Sequence, residues 1–167
     1  MKVPLLLALL LATNAASAFD VDGFRSGMSP AEVSQIVAAR GLELWQAGNS
    51  QNWSIGRRSE YRIDSTLTFC QKSGLMAYSK AIDPDNDYVP TLERNLSSWG
   101  QPKVSVRRQP WSGPGGGDIV SLDNLWKRGS DEINLSFSPE GRDGKGGLRY
   151  NRGAFLSYAD RSRVCAP

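Results

Sequence analysis

The sequence predicts an α+β fold, with short helices packed on antiparallel β-sheet, and three observations point to it. Two segments carry apolar positions at helical spacing between recognisable start and stop signals. Almost everything else is a short run of β-branched or aromatic residues broken by Ser, Gly or Lys, the pattern of strands and turns. The helix-then-strands order occurs twice, which suggests two tandem helix-plus-sheet repeats, residues 19–83 and 84–167, or one continuous domain.

The first helix is expected over residues 30–40. Ser29 is placed to cap it, Pro30 takes the first helical position, and Glu32 completes a capping box. Met28 can staple against Val33, the stripe Val33, Ile36 and Val37 faces a core, and Gly41 ends the helix. The second helix is expected over residues 89–99. Leu92, Leu96 and Trp99 repeat at helical spacing, Gly100 and Pro102 stop the run, and Asp85 and Asp87 sit where the helix dipole favours negative charge. Strands are expected at residues 53–57, 61–70 and 75–82, then at 103–108, 122–127, 132–137, 148–152 and 155–158. A shift of 59 residues lays Val33 on Leu92, Val37 on Leu96 and Gly41 on Gly100. That is the signature of a duplication, although apolar helix positions ending in glycine also match by chance.

Residues 1–18 read as a signal peptide. Lys2 supplies the positive charge, residues 3–12 the apolar stretch, and Ala16 and Ala18 the small residues of a cleavage site, so the mature chain is expected to start at Phe19 in the periplasm or outside the cell. The apolar stretch is shorter than the ~20 residues a membrane span requires. With no cysteine at position 19, no lipid anchor is expected either.

The net charge is +3, and loss of Lys2 lowers it by one. The densest cationic groups are short: Arg57-Arg58, Arg107-Arg108 and Arg161-Ser162-Arg163. No nucleic-acid partner is expected from such a pattern. The two cysteines, Cys70 and Cys165, favour a disulfide in an exported chain; the alternative is one buried inert thiol and one frayed, exposed one. No Cys-x-x-Cys spacing supports a redox role.

Catalytic chemistry finds little to stand on. Histidine is absent, which removes the usual general base, the common triads and most zinc sites. Residues 83–87 begin like a calcium loop, but Tyr88 and Arg94 occupy the positions that need glycine and glutamate. Residues 113–117 are glycine-rich, yet no Gly-Lys-Ser/Thr completes a phosphate loop. Asp131, Glu132, Glu140 and Asp143 are close along the chain, but adjacent carboxylates on a strand point to opposite faces. No catalytic residue, metal site or cofactor is therefore expected. What remains is binding: Trp111, on a Pro/Gly-rich turn just after Arg107 and Arg108, combines an aromatic anchor with cations. The competing reading makes Trp111 a plug that folds back on the end of the sheet.

The segment Gly27-Met28-Ser29-Pro30-Ala31-Glu32-Val33, continuing through Ile36 to Gly41, resembles the opening of the SmpA/OmlA outer-membrane assembly lipoproteins and the repeat of the β-lactamase inhibitor protein. The resemblance implies short helices on an antiparallel sheet and a role in binding another envelope protein, and it transfers no catalytic residue. The missing lipidation cysteine departs from the lipoprotein pattern. The expected function is a secreted or periplasmic, non-catalytic protein-binding or envelope-associated module. The alternative is a small ligand-binding protein or hydrolase with a carboxylate site on the second sheet.

Overall fold

The computed structural model describes residues 18–46, 48, 50–110, 118–142, 148–150, 152–163 and 165, so the expected leader lies outside the described residues except for Ala18. A small hairpin of β1 (Asp20–Val21) and β2 (Phe24–Arg25) leads into α1 (Pro30–Ala39). Four strands follow: β3 (Glu43–Gln46), β4 (Asn52–Arg57), β5 (Arg62–Cys70) and β6 (Gly74–Ile82). After α2 (Tyr88–Trp99) come β7 (Lys103–Pro110), β8 (Asp118–Arg128) and β9 (Asp131–Ser138). The paired β10 (Gly141–Arg142) and β11 (Leu148–Tyr150) precede β12 (Gly153–Asp160).

The strands assemble into one antiparallel eight-stranded sheet in the order β3-β4-β5-β6-β12-β9-β8-β7. This corrects the expected α+β arrangement of short helices on sheet in tandem repeats: the fold is sheet-dominated, with helices of only ten and twelve residues beside it. Two physical reasons account for the difference. Ladder hydrogen bonds use the backbone and are indifferent to side-chain polarity, so strands run past their apolar stretches; β7 continues to Pro110 and β8 starts at Asp118. The free edges of β6 and β12 also pair, Tyr78 opposite Tyr158, which fuses the two sets of strands into a single ladder.

Local signals held where they act locally. Glu32 N donates to Ser29 Oγ at 3.3 Å and Ser29 N donates to Glu32 Oε2 at 2.8 Å, a complete capping box. Val33 and Val37 are buried against Ile55, Leu67, Phe69, Leu75 and Tyr78. A second cluster holds Trp126, Ile133, Leu135 and Leu156, with Tyr88, Leu92 and Trp99 of α2 packed on it. Tyr158 touches both clusters and joins them into one continuous layer.

Cross-strand partners lie on the same face of a sheet. Leu67 pairs with Tyr78, Tyr78 with Tyr158, Tyr158 with Ile133 and Ile133 with Trp126, so both helices cover the same face. Among the described residues, the other face carries no helix. At its margin Cys70 and Cys165 form the expected disulfide, Cα–Cα 4.7 Å, with Met76 Sδ 3.6 Å and 3.8 Å from the two sulfurs.

Candidate functional site

The uncovered face is built by alternation. Each strand that buries an apolar residue beneath a helix presents its neighbour on the far side. One transverse row crosses all eight strands: Trp45, Ser54, Thr66, Ser79, Ser157, Asn134, Leu125 and Lys103 are successive register partners. The next row runs Thr68, Ala77, Ala159, Glu132 and Lys127. Short side chains at the centre and longer ones at the margins leave a depression of about 300 Å³ over the β6–β12 seam.

The floor of this depression is largely polar. Ser157 Oγ donates to Ser79 Oγ at 2.8 Å. Asn134 Oδ1, by contrast, is buried and accepts no hydrogen bond. A buried acceptor without a donor costs about 1–3 kcal/mol, which a bound N–H or O–H recovers.

The charges beside the depression are paired. Glu132, almost buried, accepts from Lys127 Nζ at 3.0 Å and from Arg161 Nη2 at 2.5 Å. The Arg161 hydrogen bond, helped by Lys127 and opposed by burial, holds the Glu132 carboxyl below the usual glutamate range. Glu132 is thus a fixed anion and an acceptor, not a proton donor. Arg107 Nε pairs with Asp123 Oδ2 at 3.0 Å.

Of the three residues expected to bind a partner, the two that the structure describes face opposite ways. Arg107, opposite Ser121, lies on the uncovered face; Arg108, opposite Val120, lies on the helix side of the same strand, and both are exposed. Trp111 lies outside the described residues. The carboxylates separate similarly: Asp131 pairs with Asp160 and Arg128 on the helix side, Glu132 with Ala159 and Lys127 on the other. Asp143 lies outside the described residues. The Asp83 carboxylate accepts from Asp85 N at 2.8 Å, Asn86 N at 3.1 Å and Asn86 Nδ2 at 2.9 Å, which makes residues 83–87 a self-satisfied turn into α2. Among the described residues, no three acidic or cysteine side chains are grouped to hold a metal ion.

Sequence reasoning missed the seam itself. Ala77, Ser79, Ser157 and Ala159 are unremarkable as residue types, and only the pairing of two strands far apart in the chain makes them a floor. Comparison of the chain with protein-family models, with curated proteins and with solved structures gives no match.

Proposed function

We propose that this protein is a non-catalytic binding module of the bacterial envelope, exported to an oxidising compartment, which takes a segment of another envelope protein across the uncovered sheet face. The observation that carries the reading is Asn134 Oδ1, an unpartnered acceptor in the floor of an uncovered polar depression. A backbone N–H of an incoming chain meets that need, and the hydroxyls of Thr66, Thr68 and Ser157 offer further partners in either direction. The ion-paired state of Glu132 weighs against the alternative of a carboxylate-based hydrolase.

The disulfide and the core support the address. A disulfide persists where the surroundings are oxidising. Phe19, which cleavage after Ala18 leaves as the first residue, is buried in the core, its ring centroid 6.4 Å from that of Tyr158, so the new terminus is tied to the sheet. The resemblance of residues 27–41 to envelope proteins points to a partner in the same compartment.

Affinity capture from an envelope extract tests the reading, with the mature chain as bait beside two variants. Ser157→Arg fills the depression, whereas Val106→Arg places the same charge on the helix side of β7, where Val106 is 64% exposed. A protein retained by wild type and Val106→Arg but lost with Ser157→Arg is the expected result. Equal capture by all three refutes the uncovered face as the binding surface.

A further inference from the structure

A second cavity, of about 590 Å³, lies at the end of β5, between the start of α1, the β3–β4 turn and the β5–β6 turn. Its size is in the range of small-ligand sites, about 300–1,000 Å³. The sequence segments that line it are far apart in the chain, and none belongs to the depression described above.

The apolar residues of the lining include Pro30, Trp53 and Phe69, of which Phe69 is buried. Trp53 is half-buried, and its ring is wedged by Phe69 at a centroid separation of 5.6 Å and an interplanar angle of 72°. Around it the surface is amide and hydroxyl. Gln46 is pinned by a hydrogen bond from Nε2 to Ser50 O, while the Gln51 and Gln71 side chains have no partner among the described residues. Ser73 Oγ, in the wall, is buried without a hydrogen bond.

Formal charge is largely cancelled here. Arg163 is committed to Asp160 Oδ2 at 2.8 Å and to Ser73 O. The start of α1, which otherwise attracts anions, already holds the Glu32 carboxylate. Among the described residues no carboxylate lines the cavity, so they offer nothing for a cation. Lys72 is exposed and is the one cation of the lining without an ion-pair partner among the described residues.

We infer that this cavity is a carbohydrate-binding site for a neutral sugar. A pyranose has an apolar C–H face and a rim of hydroxyls that donate and accept, and the cavity offers the complement of each. Trp53 supplies the stacking surface, since an aromatic ring presents area at little entropic cost. Gln51, Gln71 and Ser73 supply neutral donors and acceptors for vicinal hydroxyls. A proline-rich peptide, the other ligand that favours aromatics, docks in grooves lined by several of them, whereas Trp53 is the one partly exposed aromatic of this lining.

The test uses the folded, disulfide-bonded chain with cellobiose, maltose and di-N-acetylchitobiose as probes, followed by amide and indole NMR shifts. At least one sugar shifts the Trp53 indole and the amides of residues 69–74 saturably. Trp53→Ala weakens that binding about tenfold or more, the equivalent of one lost stacking contact. Gln71→Ala, at an exposed turn, weakens it several-fold with an unchanged melting temperature, which keeps the test valid if Trp53→Ala fails to fold. Lys72→Gln leaves it unchanged. The inference is overturned if none of the sugars shifts these resonances, if binding is lost with Lys72→Gln, which marks an anion site, or if hexaproline shifts them and the sugars do not.

Discussion

Removing the Cys70–Cys165 bridge gives a large and calculable loss of stability. The two residues are 95 apart, so the bond closes a loop that contains α2 and every strand from β6 to β12. In the chain-entropy account, a loop of about 100 residues restricts the unfolded chain by about 4.7 kcal/mol, with smaller values where the reduced chain keeps residual structure. At about 2–4 °C per kcal/mol for a domain of this size, a loss of about 4 kcal/mol lowers the melting temperature by about 8–16 °C. Alanine at both positions keeps the volume change small and leaves no unpaired thiol. The assay is a calorimetric melt of wild type and the Cys70→Ala/Cys165→Ala variant under oxidising conditions. The native contacts of β12 do not depend on the bridge, so the variant folds with the same circular dichroism. A fall of less than about 3 °C would refute the reasoning, because it would mean that the unfolded chain gains little freedom from opening this loop.

Three further outcomes follow from the geometry. Trp126, 2% exposed, donates Nε1–H to Gly100 O at 2.8 Å; Trp126→Ala should cost about 3–5 kcal/mol in urea unfolding, and Trp126→Phe about 0.5–1.5 kcal/mol for the hydrogen bond it loses to the exposed Gly100. Gly74 has φ +75°, and a Cβ there meets Gly27 O, so Gly74→Ala should destabilise by well over the ~0.5 kcal/mol of an ordinary surface change and weaken the Leu75 N to Met28 O hydrogen bond of 2.7 Å, read by amide exchange. Glu132 has a folded-state pKa below its unfolded value of about 4.3, so its stabilisation is complete above that pH and is lost as pH falls through the folded value. Melting curves of wild type and Glu132→Gln should therefore differ most above about pH 5 and converge as the pH is lowered, whereas a constant difference would show that the ion pairs contribute nothing.

What could be read from the sequence was what local chemistry decides. The capping box at Ser29 and Glu32 and the stop at Gly41 involve neighbours, so the limits of α1 were visible within a residue or so. β3 was missed because Glu43–Gln46 is too short to show alternation. The single sheet was not visible either: periodicity says that β6 and β12 are strands but not that they pair, since their partnership spans some eighty residues. Alternation did reveal that Asp131 and Glu132 face apart, and the same rule separates Arg107 from Arg108, which a reading based on proximity along the chain had joined. The sugar cavity draws on three separate turns and a helix start, and its only linear hint was Trp53 within a stretch rich in Gln, Asn and Ser.

The seam between β6 and β12 also sets an order of events during folding. β3 to β6 can zip up with near neighbours as soon as they are made, but the outer edge of β6 must wait for β12, the final strand of the sheet in chain order. Until then the first half carries an open edge able to recruit another copy, a route to misassembly. Cys70 closes β5 and Cys165 follows β12, so pairing of β12 with β6 brings the two sulfurs together. Oxidation of this pair is therefore a latch on the completed sheet, and the appearance of the bridge in a refolding time course is a direct clock for closure of the seam.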